Sequence, residues 1–136
     1  MGCRRSSIAL AVFGLLVASL PALAHHAIQG QFDFQKPIEL TGTLKKMEWI
    51  NPHSQMKLEV TNADGSKTVW SFETIAPTKL REKGLGRASE GGFQVGQTYV
   101  ASGYAARNGN AFAFLKSVTF PDGRVITLWF GDPNGN

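Results

Sequence analysis

The sequence predicts an all-β chain, a small Greek-key barrel of five to six strands with one short helix between strands three and four. Three observations carry that prediction. Apolar and polar residues alternate through most of the chain, 15 Gly and 6 Pro supply frequent turns, and a single short stretch has helical punctuation. The 136 residues, 43% hydrophobic and 18% charged, suit one globular domain and exclude a multidomain enzyme, a disordered polyelectrolyte or a low-complexity polymer.

Residues 1–24 read as an export leader and stand outside the fold. Arg4 and Arg5 form a positive start, Ile8 to Leu20 a mostly apolar run broken by Gly14 and Ser19, and Ala22-Leu23-Ala24 a small-x-small cleavage site. That run is short of the roughly 20 apolar residues a membrane span needs. The predicted organisation is therefore a signal peptide over 1–24 and a single barrel domain over 25–136, periplasmic, with no mature membrane span. The Arg4-Arg5 pair also raises the twin-arginine export route, but only as a minor alternative, since the dipeptide alone is present. Cleavage removes two of the 14 basic residues and none of the 10 acidic ones, leaving 12 and 10, so the formal charge falls from +4 to +2. With no basic run longer than Lys45-Lys46, nucleic acid is not an expected partner. Cys3 leaves with the leader, and with it any disulfide, thiolate metal site or cysteine nucleophile.

The first strand carries Ile38, Leu40 and Leu44 on one parity, with Gly42 between them, and Met47 and Trp49 on the other. A one-residue phase change at Lys45-Lys46 is what a β-bulge produces, and together with Gly42 it lets a long strand bend around a barrel corner. Met56, Leu58 and Val60 alternate with Gln55, Lys57 and Glu59 in a second strand with one wet face. Asn62-Ala63-Asp64-Gly65 turns it into a third strand containing Val69, Trp70 and Phe72. A helix of about two turns begins at Pro77 and stops at Gly84. Leu85 to Gly96 reads as a loop, and Thr98–Tyr104 and Ala111–Val118 form a hairpin around Arg107-Asn108-Gly109-Asn110. After a turn at Pro121-Asp122-Gly123 the last strand runs from Val125 to Phe130, and Gly131 to Asn136 is a tail. Three strands, a helix, then two or three strands is the order of an oligonucleotide/oligosaccharide-binding (OB) barrel. Trp49, Trp70, Phe72, Phe112, Phe114 and Trp129 are the expected aromatic core, with Trp49 also a candidate ligand platform because it runs into Asn51-Pro52.

The three histidines are His25, His26 and His53. Cleavage after Ala24 makes His25 and His26 the first two mature residues, so a terminal amine and two imidazoles can share one ion, with His53 as a third ring. Nitrogen donors of this kind favour Cu(II) or Ni(II), copper ahead by affinity order. Paired histidines at a cleavage site fit a merely polar terminus as well. No cofactor is firmly implied beyond that copper reading. His53-Ser54 places a hydroxyl beside an imidazole, but neighbours in extended chain point to opposite faces. Gly84-x-Gly86-x-x-Ser89 lacks the third glycine and the preceding strand of a dinucleotide loop. No pair of carboxylates is singled out for acid and base roles, so an enzyme is the less favoured class.

His25-His26, Lys36-Pro37-Ile38-Glu39-Leu40-Thr41-Gly42-Thr43, Glu48-Trp49-Ile50-Asn51-Pro52-His53 and Val118-Thr119-Phe120-Pro121-Asp122-Gly123 together resemble a family of small exported bacterial proteins of unknown function. A His-His-Ser mature start, a Leu-Thr-Gly segment and a Trp-x-Asn-Pro-His motif recur in it. Here Ala27 replaces that serine. The resemblance implies an exported barrel without established activity, and directs attention to the histidines and to Trp49, Asn51 and His53. Two function classes follow. One is an exported, non-catalytic binding module that takes a small ligand, a glycan or a periplasmic protein through Trp49, Asn51 and His53. The other is a copper-binding protein using His25, His26 and His53.

Overall fold

In the computed structural model, which describes residues 28–86 and 88–129, the apolar alternation lays down six strands in the predicted order. They are β1 (Phe32–Glu48), β2 (Gln55–Thr61), β3 (Lys67–Glu73), β4 (Thr98–Ala106), β5 (Phe112–Thr119) and β6 (Val125–Thr127), with a helix, α1 (Pro77–Glu82), between β3 and β4. All neighbours pair antiparallel in the order β3-β2-β1-β4-β5-β6, and a short parallel pairing of β3 with β5 joins the ends. Strands β1 to β5 thus form the closed Greek-key barrel of the OB type, with β6 appended to β5.

The phase change in β1 is a bulge at Lys45. Leu44 pairs with Leu58 but Lys46 pairs with Lys57, so Lys45 is the extra residue. Gly42 sits where an added Cβ would lie 2.8 Å from the Glu59 carbonyl oxygen, so the bend requires glycine. In β2, Met56, Leu58 and Val60 face inward as expected, and Phe72 of β3 joins them. Helix α1 has Pro77 in its first turn, and Gly84 at φ 73° ends it while the Leu85 amide donates back to the Leu80 carbonyl. Leu80 and Leu85 bury completely in the core beside Phe93, Tyr99 and Phe120.

Three expectations are corrected. Strand β1 begins at Phe32, not Ile38, because its ladder with β4 slips between Phe32 and Pro37, and a proline is tolerated where no ladder amide is needed. Strand β6 stops at Thr127 because the Leu128 and Trp129 amides both donate to the Lys116 carbonyl, at 2.8 and 3.2 Å. The aromatic core is also divided. Ala113 and Leu115 are the inward residues of β5, so Phe112 and Phe114 project outward. There they meet Phe32, Phe34, Tyr104 and Trp129 in a satellite cluster, with Phe34 stacked on Trp129 at 5.5 Å and Phe114 edge-on to Trp129 at 5.4 Å. Trp49 and Trp70 are half-buried against the main core.

Contacts divide the chain into two units, Met1–Gln31 and Phe32–Asn136. Of the first, residues 28–31 are described and are helical. The predicted signal peptide, its cleavage site and the tail from Gly131 to Asn136 lie outside the described residues. Among the described residues no helix is long and apolar enough to cross a membrane.

Candidate functional site

The segment from Trp49 to Ser54 connects β1 to β2. It is tied to the exit of β3 by two backbone bonds: the Ser54 amide donates to the Ile75 carbonyl at 3.2 Å, and the Thr74 amide donates to the Ser54 carbonyl at 2.9 Å. These bonds fix which way each side chain points. His53 and Asn51 face solvent, whereas Ser54 is fully buried. The histidine and the hydroxyl beside it are therefore on opposite sides of the chain, and no base–nucleophile pair forms. The Asn51–Pro52 peptide is cis. Trp49 leans inward, its ring 6.4 Å from that of Phe93.

The His53 side chain is 46% exposed, and its Nδ1 lies 2.6 Å from Oε1 of Glu73, which is 16% exposed. Glu73 pairs in register with Gln55, so the imidazole is held over the first row of the β2–β3 outer face. A carboxylate accepting from Nδ1–H leaves Nε2 as the outward-looking nitrogen, able to accept a hydrogen bond or bind a metal. Sequence reasoning missed Glu73. The signal was available, since the hairpin register that places Met56 opposite Phe72 also places Gln55 opposite Glu73.

Beyond this pair the outer face is a polar lattice. Ser71 Oγ donates to Gln55 Oε1 at 2.9 Å, and Lys57 Nζ reaches both at 3.1 Å. Lys57 also approaches Glu48 at 3.5 Å, Lys46 bonds the same carboxylate at 2.9 Å, and Glu59 lies between Lys45 at 3.7 Å and Lys67 at 3.0 Å. The hydrogen bond from Lys46 holds the Glu48 carboxyl below its ordinary range, and the one from Lys67 does the same for Glu59. Inside the barrel, beneath this face, Ser54 Oγ and Thr74 Oγ1 are buried without any hydrogen-bond partner.

The structure thus brings Trp49, Asn51 and His53 onto one connection, with Asn51 and His53 presented and Trp49 half-withdrawn. His25 and His26 lie outside the described residues, and among the described residues no group of three His, Cys, Asp or Glu is placed to hold a metal.

Closed-barrel topology and a polar outer face flanked by the β1–β2 connection define an OB-type barrel. The chain belongs to DUF6152, a family of unknown function, whose model matches residues 12–115. The Phe120-Pro121-Asp122-Gly123 segment falls beyond that match. No curated protein matches the chain. Among solved structures it is similar to Rim1, a mitochondrial single-stranded DNA binding protein from S. cerevisiae, at 10% identity and a TM-score of 0.47, covering 63% of this chain and 93% of that one. That likeness is one of fold. The expectation that nucleic acid is excluded is corrected beside it, because a protein that binds single-stranded DNA has a similar barrel.

Proposed function

We propose that the chain is an exported, non-catalytic binding module that takes a small hydroxyl-rich ligand, such as a glycan, where the β1–β2 connection meets the outer face of β2 and β3. The observation that carries this reading is the exposed His53 ring clamped through Nδ1 by Glu73 at 2.6 Å. A fixed imidazole beside exposed Asn51 and part-buried Gln55 and Ser71 is a set of donors and acceptors suited to hydroxyl groups. Barrels of this type bind across strands two and three and the adjoining loops. Export is supported by the charged start, apolar run and small-x-small site within residues 1–24. The test is capture from a periplasmic extract with wild-type protein and with His53→Ala and Asn51→Ala variants, followed by mass spectrometry of the bound material. A saccharide retained by wild type and lost from both variants is expected. Identical captured material from all three overturns the proposal, and single-stranded nucleic acid lost on the same substitutions replaces its ligand.

One observation favours copper as a second reading. A carboxylate that orients a histidine through its other ring nitrogen is the usual outer support of a metal-bound imidazole. His53 with Glu73 has that form, and the remaining nitrogens would come from His25, His26 and the mature terminus. Copper titration monitored by paramagnetic resonance is expected to show nitrogen ligation that weakens in His53→Gln. A spectrum unchanged by that substitution removes His53 from the site.

A further inference from the structure

On the opposite wall of the barrel, a groove of about 230 Å³ crosses β1, β4 and β5, lined by Pro37, Ile38, Glu39, Ser102, Gly103, Tyr104 and Lys116. Its shape comes from a second bulge. Ser102 pairs with Ser117, but Gly103 pairs with Leu115, so Lys116 is an extra residue in β5. Bulges re-aim side chains, and this one sets Lys116 at the groove in exposed position. Gly103 makes the bulge possible, because a Cβ there would lie 1.9 Å from the Phe114 carbonyl oxygen. Having no side chain, it also leaves the middle of the groove open.

The two walls carry opposite charges that do not satisfy each other. Glu39 is held by Ser102 Oγ, which donates to its Oε2 at 2.9 Å. Lys36, Lys45, Lys46, Lys57, Lys67 and Lys79 each pair with a carboxylate. Lys116 pairs with none among the described residues, Glu39 included. Pro37, Ile38 and the Tyr104 ring give the groove an apolar flank.

We infer that this groove binds a small zwitterion of amino-acid size, with its carboxylate on Lys116, its ammonium on Glu39 and its side chain along Pro37 and Tyr104. An acid and a base that face one small groove without pairing with each other are complementary to a molecule that carries both charges on neighbouring atoms. A ligand with one charge leaves one wall unanswered. The site is separate from the β1–β2 connection and stands or falls independently of it.

The test is a titration of isotope-labelled full-length chain, followed by amide chemical shifts, with three probes: L-phenylalanine, 3-phenylpropanoate and L-phenylalaninamide. Saturable shifts at Ser102, Gly103 and Lys116 are expected with the amino acid. Each singly charged analogue should bind about three- to five-fold more weakly, the size of one exposed charge pair. Lys116→Gln should abolish the preference over the amide, and Glu39→Gln the preference over the propanoate. Equal affinity for all three probes, or no saturable shift at these amides, overturns the inference. Shifts confined to His53, Gln55 and Glu73 overturn it too, and would instead place the amino acid at the β1–β2 connection.

Discussion

Two residues test whether backbone closeness and buried hydroxyls act as the geometry dictates. At Gly103 the β4 and β5 backbones approach so closely that a methyl group would overlap the Phe114 carbonyl oxygen. Backbone cannot yield as a flexible side-chain end can, so Gly103→Ala should cost about 3 kcal/mol, at the upper end for overpacking. The neighbouring Ser102→Ala removes only an exposed hydrogen bond and should stay within about 0.5 kcal/mol. Urea midpoints at constant m-value compare them, and a Gly103→Ala midpoint equal to wild type would show that the strands can part there without cost. Thr74 has the opposite sign. Its hydroxyl is buried and unpartnered, so the near-isosteric Thr74→Val should leave stability unchanged or raise it by about 1 kcal/mol. A clear loss in the same assay would mean that the hydroxyl has a partner in solution. Neither feature could be read from the sequence. Gly103 looks like any strand glycine, and although Thr74 continues the inward parity of Trp70 and Phe72, nothing local tells that its hydroxyl finds no partner there.

Among the elements, those whose evidence is local were legible. The Lys45 bulge showed itself as a parity flip between Leu44 and Met47, and the β2–β3 hairpin as two alternating runs around Asp64-Gly65. The division of the aromatics was hidden because the outward facing of Phe112 and Phe114 is set by the slip at Lys116 and by partners from β1 and β4 far away in sequence. The candidate site followed the same rule: Asn51 and His53 were found through their proline turn, whereas Glu73 needed the strand register. The charged face of β1, β2 and β3 has its own consequence for pH. Lys46 lowers the Glu48 carboxyl and Lys67 that of Glu59, while the Ser66 hydroxyl lowers Asp64 and the Arg124 amide lowers Asp122. A folded-state pKa below the unfolded one means a contribution fully present above the unfolded value and lost as pH falls through the folded value. Stability should therefore hold from neutral pH down to the ordinary carboxylate range, then decline below it. Because these groups are exposed, added salt should shallow the decline. Denaturation midpoints at pH 7 and pH 3, in low and high salt, check this. Lys46→Gln together with Lys67→Gln should flatten the acid limb, and an unchanged limb would show that these pairs do not shape it.

For the barrel as a whole, closure depends on its shortest seam. Strands β2 and β3 pair over seven residues, whereas β3 and β5 pair over three, Ser71–Glu73 against Phe112–Phe114. That seam is parallel, which is the slightly weaker pairing per residue. Phe112 and Phe114, packed against Phe32 on the outside, reinforce it. The balance predicts a barrel that opens there before it unfolds. In native-state hydrogen exchange, the Ser71 amide, bonded to the Ala111 carbonyl at 3.0 Å, should open at lower free energy than amides in the middle of the β1–β2 and β1–β4 ladders, which should exchange only through global unfolding. Phe112→Ala should lower the Ser71 opening energy much more than it lowers global stability. If Ser71 exchanges only with the whole molecule, the seam is as firm as the rest and the aromatic cluster outweighs its shortness. The outcome bears on the site, because the strand that would swing at this seam is the one that carries Glu73. Because the Ser54–Ile75 and Thr74–Ser54 backbone bonds tie the β1–β2 connection to the end of β3, an opening seam would carry Glu73 and His53 together and reorient the whole site against β5, whereas a firm one presents His53 and Asn51 in a single fixed geometry.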